Sequence, residues 1–358
     1  MRNVPRIVLR WTAVPSLLIA LWFVWPRPPK LMDRARKVAS VKGWMIDRGP
    51  DACMAWGWIS DRELIFLRQN GPRPAFYRHD IVTGVESSIP ALTKLFLTTG
   101  ADPDGIQVAP DGQYVLWNGY HAEDGRIVGA RIDGGEFFRG PNGLRGFARW
   151  LGDSRHWFEL GMKVSVFADA RICSIAAGGS SARINIRAAH PINNSSSYGG
   201  NEIVRGIQGS CDRILTNDWS YRAITTSTRV SISELNLASG FSPTRTYSVQ
   251  IPQGRYACDV ITAPRGDQIA WKFAFENHEG VIDVLSRWLP RFRAPCQTVA
   301  LYVSSVNGSN MHDLGRMESI DNKSDEVFMR EPDYIKWTPD GKHLSFIYRD
   351  SLYLVSTE

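Results

Sequence analysis

The sequence predicts an all-β fold: a six-bladed β-propeller of four-stranded antiparallel blades, preceded by one N-terminal transmembrane or signal-anchor helix. Three observations lead to this prediction. A turn motif recurs in VAPDGQYVLW (108–117), TAPRGDQIAW (262–271) and WTPDGKHLSF (337–346), glycine-centred turns follow at regular distances, and residues 11–25 carry no charge. A turn that recurs between β-rich stretches is typical of a repeat architecture.

The N-terminal anchor is predicted for residues 11–26, between a basic region (1–10) and a proline-rich basic linker (27–37). Extended back to Ile7, the apolar run approaches the ~30 Å hydrocarbon thickness of a bilayer. It ends in bulky aromatic residues without a small-x-small cleavage site, which favours an uncleaved anchor over the alternative, a cleaved signal peptide. We expect the remaining residues, 38–358, to form the propeller.

The side of the membrane follows from the position of this segment rather than from charge. Basic residues lie on both sides of it, so the positive-inside rule does not favour export. A single N-terminal span after a short basic region behaves like a signal anchor, and we therefore expect the propeller outside the cytoplasm, periplasmic or extracellular. The alternatives are a domain on the cytoplasmic face and a domain secreted after signal cleavage.

The composition is that of a globular β protein. The chain has 13 Trp, 11 Tyr and 15 Phe beside 31 Gly and 20 Pro, which suits many strands joined by tight turns. Its net charge of +6 comes from scattered Lys and Arg, so no nucleic-acid partner is predicted. The five cysteines lack zinc-site spacing. We interpret them as buried small side chains, with one disulfide as the alternative in an oxidising compartment.

The distance between the two kinds of turn defines the repeat. In the first four units it is 23, 23, 25 and 28 residues, measured from Asp61 to Gly84, Asp111 to Gly134, Asp153 to Gly178, and Asp212 to Gly240. The fifth interval, ending at Gly308, is 42 residues and contains an insertion. The sixth unit ends before its second turn. Residues 38–46 are expected to supply its missing outermost strand, which would close the ring and protect the sheet edges.

These units resemble the TolB-like, WD-repeat-like propeller family over residues 38–358. The resemblance rests on PDGQYVLW (110–117), PDGKHLSF (339–346) and the later strand Leu301-Tyr302-Val303. It implies a β-propeller and says little about activity. The chain has no room for the separate N-terminal α/β domain of TolB itself, so the resemblance implies none of TolB's cell-envelope partners.

The turn residues are predicted to be structural, not catalytic. Glycine supplies the positive φ of a tight turn, and aspartate accepts hydrogen bonds from backbone N–H groups. This interpretation covers Pro110, Asp111, Gly112, Pro339, Asp340 and Gly341.

No catalytic signature is present in the sequence. It contains no G-x-S-x-G, P-loop, G-x-G-x-x-G, H-E-x-x-H or calcium-loop motif, and its seven histidines are isolated. We therefore predict no catalytic residue, no cofactor and no metal. A site assembled from acids and histidines of several blades would escape a search of this kind.

Two connections carry the residues expected to contact a partner. Trp219, Tyr221 and Arg222 are of the types enriched at interfaces, and they contact a partner unless they pack on a neighbouring blade. The insertion 280–295 has the apolar spacing of an amphipathic helix. In it, a membrane or partner contact is predicted for Trp288, Leu289, Arg291 and Phe292; a helix packed on the blade rim is the alternative.

The sequence thus predicts a membrane-anchored, non-enzymatic β-propeller that binds a protein or peptide outside the cytoplasm. Function in propellers usually lies where loops converge over the channel. The alternative is a hydrolase or lyase that acts on a glycan or peptide at the same loop face. A cytoplasmic sensor domain is a third possibility.

Overall fold

The computed structural model describes fifteen stretches of the chain. They are residues 30–46, 53–70, 73–99, 106–117, 127–140, 146–163, 166–175, 181–184, 203–206, 213–217, 229–236, 242–252, 256–276, 297–319 and 333–358. The described residues form an all-β, propeller-like fold with two helices. The predicted N-terminal anchor lies outside them, and among the described residues no helix has the length and apolar character needed to cross a bilayer.

The first described elements are short. They are helix α1 (Leu31–Arg34) and strands β1 (Arg36–Ser40), β2 (Met45–Ile46) and β3 (Cys53–Met54). Strands β2 and β3 pair with each other as a two-stranded sheet.

Six four-stranded antiparallel sheets follow in chain order. Sheet 1 contains β4 (Trp56–Trp58), β5 (Glu63–Asn70), β6 (Arg73–Asp80) and β7 (Glu86–Ser88). Helix α2 (Pro90–Thr99) leads to sheet 2, with β8 (Gln107–Val108), β9 (Tyr114–Trp117), β10 (Val128–Arg131) and β11 (Phe137–Arg139). Sheet 3 contains β12 (Gly146–Trp150), β13 (His156–Lys163), β14 (Val166–Ser174) and β15 (Ser181–Ile184).

The second half of the chain repeats the pattern. Sheet 4 contains β16 (Ile203–Gly206), β17 (Arg213–Asn217), β18 (Arg229–Asn236) and β19 (Ser242–Gln250). Sheet 5 contains β20 (Tyr256–Thr262), β21 (Gln268–Glu276), β22 (Gln297–Ser305) and β23 (His312–Ser319). Sheet 6 contains β24 (Asp333–Trp337), β25 (His343–Tyr348) and β26 (Ser351–Ser356), and β1 is its outermost strand.

Apolar side chains fill the space between successive sheets. Separate buried clusters lie between sheets 1 and 2, 2 and 3, 4 and 5, 5 and 6, and 6 and 1. Both faces of sheet 1 are used: Ile65 and Leu67 face sheet 2, while Leu64 and Phe66 face sheet 6. Strands buried on both faces explain why the sequence has near-continuous apolar runs instead of strict alternation.

Indole N–H groups link the innermost strands of neighbouring sheets. Trp150 donates to the Gln107 carbonyl of sheet 2 over 3.1 Å. Trp337 donates to the Ile261 carbonyl of sheet 5 over 2.9 Å. In each case the Trp ends its own strand and reaches back to the preceding sheet, so the contact recurs with the repeat.

The strand that completes sheet 6 comes from the N-terminal side, as expected. Strand β1 pairs with β26 from Arg36 opposite Leu354 to Ser40 opposite Ser351. It begins two residues before the predicted segment 38–46 and ends at Ser40, three residues before Gly43, whose φ is +82°. Sheet 6 is therefore built from both ends of the described chain.

Helix α2 was not predicted from the sequence. It follows sheet 1 directly, and its buried Leu92 and Phe96 lie at i and i+4 in the cluster between sheets 1 and 2. Phe96 meets Trp117 edge-on at 5.8 Å between ring centroids. The signal available was Pro90 at the first helical position, but a short, partly apolar stretch between two repeat units is equally typical of a linker.

Candidate functional site

The two ends of the sheets carry very different connections. At one end, here called the turn end, the first strand joins the second in every sheet, and the third joins the fourth in sheets 1 to 5, through at most six residues. At the other, the loop end, lie the connections between second and third strands and those between sheets. All connections longer than six residues lie there, including 118–127, 185–202, 218–228, 277–296 and 320–332.

The turn end is closed by hydrogen-bonded turns. Gly112 and Gly341 have φ of +71° and +73°, and their N–H groups donate back to the residue three positions earlier. The carboxylates of Asp111 and Asp340 accept the backbone N–H two residues ahead, both at 2.9 Å. The turn of sheet 3 has Ser154 in place of glycine, at φ +57°. These contacts use the turn residues for structure.

Side chains of one turn also hold the next. The N–H of Asp111 donates to the Ser154 hydroxyl over 2.9 Å, which ties sheet 2 to sheet 3. The N–H of Asp340 donates to the Asp61 carboxylate over 2.7 Å, which ties sheet 6 to sheet 1. At the turn end, hydrogen bonds therefore link turns of neighbouring sheets.

Several aspartates of these turns have lowered pKa values, Asp340 and Asp153 among them. Burial raises the pKa of Asp340, but hydrogen bonds from the Thr338 hydroxyl and the Lys342 N–H outweigh it and bring the pKa below its ordinary value. Burial likewise acts on Asp153, where bonds from the His156 ring and nearby backbone N–H groups dominate. Each carboxylate stays ionised to hold its turn, which is a structural use of charge.

The predicted contact residues belong to loop-end connections. Trp219, Tyr221 and Arg222 lie between β17 and β18, whereas Trp288, Leu289, Arg291 and Phe292 lie between β21 and β22. Both stretches are outside the described residues. Both join a second strand to a third, so the strand order assigns them to the same end of the sheets.

The described residues place a cation between the innermost strands of sheets 6 and 1, one residue before the end of β24 that leads into its tight turn. The Lys336 ammonium of β24 binds the Trp56 carbonyl of β4 and lies 4.6 Å from the Trp56 ring centroid. Two residues earlier, Tyr334 has φ +50° and its hydroxyl accepts the Met54 N–H over 3.3 Å. Left-handed backbone at a tyrosine is strained and often marks functional sites. Sheets 6 and 1 thus share a Lys–Trp–Tyr set that sequence reasoning missed.

A second cation lies on the same face of sheet 1. The Arg68 guanidinium is 5.0 Å from the ring centroids of both Phe66 and Tyr77. It also pairs with Glu86 at 2.8 Å. Trp44 stacks on Phe66 with centroids 4.1 Å apart. The sequence shows that Phe66 and Arg68, two residues apart on one strand, lie on the same face of that strand. It does not show which sheet packs against that face.

Among the described residues, no group of three or more His, Cys, Asp or Glu side chains could hold a metal ion. Cys173 is fully buried in the cluster between sheets 2 and 3. The Trp56 and Phe66 rings that these two cations contact are fully buried, so the contacts belong to the packing between sheets 6 and 1.

Comparison with known proteins returns structures only. No protein-family model and no curated protein matches the chain. The putative TolB from Agrobacterium tumefaciens matches at 15% identity and a TM-score of 0.48, covering 90% of this chain and 98% of its own. An oligogalacturonate lyase from Vibrio parahaemolyticus matches at 10% identity and a TM-score of 0.47, covering 90% and 93%.

The chain is similar in fold to TolB-like propellers. TolB from Acinetobacter baumannii is a further match, at 14% identity and a TM-score of 0.40, covering 71% of this chain and 52% of its own. The resemblance stated from the turn motifs is thus found again among solved structures. At these identities the likeness concerns the fold alone.

Proposed function

We propose that the chain is a six-bladed β-propeller whose loop end binds a protein or peptide partner outside the cytoplasm. Each four-stranded sheet is one blade, and the ring closes between sheets 6 and 1. Closure is supported by contacts that repeat there. Trp58 donates its indole N–H to the Ser345 hydroxyl of sheet 6 over 2.9 Å. The Asp340 N–H bonds to Asp61, as Asp111 does to Ser154 between sheets 2 and 3.

The binding function rests on one observation above all: every long connection emerges from the loop end. Short turns held by hydrogen bonds tolerate few changes of sequence, whereas long connections on a rigid scaffold commonly carry binding residues. Trp219, Tyr221 and Arg222 are of the types enriched in binding hot spots.

The anchor belongs to the same proposal. Residues 11–26 would hold the propeller at the membrane, and the insertion 280–295 would touch the bilayer or the partner through Trp288, Leu289, Arg291 and Phe292. Strand β1 begins ten residues after residue 26, so an anchor there would lie close to the closing strand in sequence. Labelling of an engineered surface cysteine in intact cells tests the side of the membrane; protection from an impermeant reagent would place the propeller in the cytoplasm.

Crosslinking with the full-length chain in its native host tests the binding proposal. Three chains are compared: wild type, the loop-end triple variant Trp219→Ala/Tyr221→Ala/Arg222→Ala, and a turn-end control, Val82→Ala/Thr83→Ala/Val85→Ala. The control residues are exposed in the tight turn of sheet 1. We expect one crosslinked partner to be lost with the loop-end variant and retained with the control.

Two results would contradict the proposal. In the first, both triple variants retain the same partners at wild-type yield. In the second, the purified chain cleaves a glycan or peptide with turnover that the loop-end variant abolishes, which establishes the alternative enzyme instead.

A further inference from the structure

The segment that precedes β1, residues 30–34, is fixed on the outer edge of sheet 5. Lys30 forms a parallel bridge with Arg316 of β23, which is the outermost strand of that sheet. The Arg34 guanidinium donates to the Asp313 carbonyl of the same strand over 3.1 Å. These contacts join the start of the described chain to the strand that lies almost three hundred residues later.

Strand β23 has a bulge where this segment lies. Its register with β22 shifts between Leu301 and Tyr302, so that Leu314 is an extra residue of β23. The next residue, Gly315, has φ +140°, and a Cβ there would lie 2.5 Å from the Cα of Leu31. Leu31 itself is fully buried in the cluster between sheets 5 and 6. The close approach of the segment therefore requires glycine at position 315.

The docked segment fixes the place where the preceding chain reaches the propeller. Lys30 comes four residues after residue 26, the end of the proposed anchor. Four residues of fully extended chain span at most about 14 Å. An anchor that ends at residue 26 must therefore leave the bilayer within this distance of the outer edge of sheets 5 and 6.

Cations are concentrated at this edge. Four of them are exposed on the docked segment and on β1, the outermost strand of sheet 6: Lys30, Arg34, Arg36 and Lys37, here called the basic edge. Residues 30–40 contain one acid, Asp33. Lysine and arginine beside a membrane attract anionic headgroups, and each shifts the binding equilibrium about fivefold. The edge thus complements an anionic bilayer in charge, at the place where the chain brings the bilayer close.

From these observations we infer that the basic edge binds anionic phospholipid headgroups of the membrane that holds the anchor. The inference rests on the proposed anchor and adds an orientation to it. Sheets 5 and 6 lie with their outer edges against the bilayer. Because this edge runs between the turn end and the loop end, both ends then point along the membrane surface. A partner of the loop end would therefore lie beside the propeller at the membrane.

Photocrosslinking to lipid tests this orientation in the full-length chain. The chain is reconstituted into vesicles of phosphatidylcholine with or without phosphatidylglycerol, and benzoylphenylalanine replaces one residue at a time. His312 is exposed at the start of β23 and far from the anchor in sequence, whereas Phe137, exposed on β11 of sheet 2, is the matched control position. We expect lipid crosslinks from position 312, more of them with phosphatidylglycerol, and loss of the crosslink at position 137.

Neutral substitutions test the contribution of charge. Arg36→Gln/Lys37→Gln removes two cations from the basic edge, and the control Arg73→Gln/Arg139→Gln removes two exposed cations from sheets 1 and 2. At about fivefold for each cation, the first variant should lower the ratio of docked to undocked chain about 25-fold. The control should leave the crosslink from position 312 unchanged. Circular dichroism of both variants confirms that each is folded.

The outcomes distinguish a failure of the inference from a failure of the anchor. Extraction of the chain from the vesicles by alkaline carbonate would reject the anchor and, with it, the inference. A chain that resists extraction but crosslinks equally from positions 312 and 137 supports the anchor and overturns the orientation. An equal effect of the two double variants on the crosslink from position 312 overturns the assignment of headgroup binding to the basic edge.

Discussion

Ser345 connects sheets 6 and 1 through a chain of buried hydrogen bonds, and its replacement by alanine gives the sharpest stability prediction. The side chain is fully buried. Its hydroxyl accepts the Trp58 indole N–H over 2.9 Å and donates to the Lys336 carbonyl over 2.8 Å. Ser345→Ala leaves both partners without this hydroxyl, in a place that solvent does not reach.

The expected magnitude follows from these two bonds. A hydrogen bond contributes about 1 kcal/mol net, and an indole N–H left buried and unpaired costs about 1–3 kcal/mol. We therefore expect Ser345→Ala to lower the free energy of unfolding by about 2 kcal/mol. The assay is urea unfolding of the full-length chain, followed by tryptophan fluorescence and circular dichroism.

Two matched substitutions make the result interpretable. Ser304 accepts the Trp271 indole N–H over 2.9 Å and donates to a neighbouring carbonyl, so it repeats this chemistry inside sheet 5. Ser304→Ala should cost a similar amount, whereas exposed Ser356→Ala should stay within about 0.5 kcal/mol of wild type. If Ser304→Ala destabilises and Ser345→Ala does not, the contact between sheets 6 and 1 is not formed and the closed ring is wrong.

Three further predictions test the turn end and the core. Gly112→Ala should lower the free energy of unfolding by more than about 3 kcal/mol, because its Cβ would lie 1.8 Å from a carbonyl oxygen of sheet 1. Gly341 has a similar φ, but its Cβ would point into open space, so Gly341→Ala should cost only about 1 kcal/mol in the same urea assay. The folded-state pKa of Asp340 is lowered, so its ionisation stabilises the fold above the unfolded aspartate pKa of about 3.9, and this stability is lost as the pH falls through the folded pKa. Between pH 7 and acid, the melting temperature of Asp340→Asn should therefore fall less than that of wild type. An equal fall in the two proteins would contradict this. Buried Cys173 should react with a thiol reagent only on unfolding, so mass spectrometry that finds it labelled in the native chain would contradict its placement.

The turns were predictable because their chemistry is local. A glycine with positive φ and an aspartate that caps the next N–H need only adjacent residues, so Asp111-Gly112 and Asp340-Gly341 could be assigned from sequence. The closing strand was also predictable, since a sixth unit one strand short requires a partner for β26. Its bounds were less accurate because register depends on the partner strand.

The candidate site was less predictable because its contacts join distant parts of the chain. Lys336 and Trp56 are 280 positions apart, and their contact exists only after sheets 6 and 1 meet. Nothing adjacent to Lys336 distinguishes it from any other strand lysine. The same is true of Arg68, whose aromatic partners are recognisable only when the face of sheet 1 is known.

Residues that recur from unit to unit and residues that do not recur have different roles in this chain. Residues that recur, such as Trp150, Trp337 and the turn aspartates, make contacts that any blade needs with its neighbour. A residue that stabilises the contact between sheets in every unit is a poor candidate for binding one specific ligand. Specific recognition is therefore expected where the repeat fails: in the long loop-end connections and at the strained Tyr334.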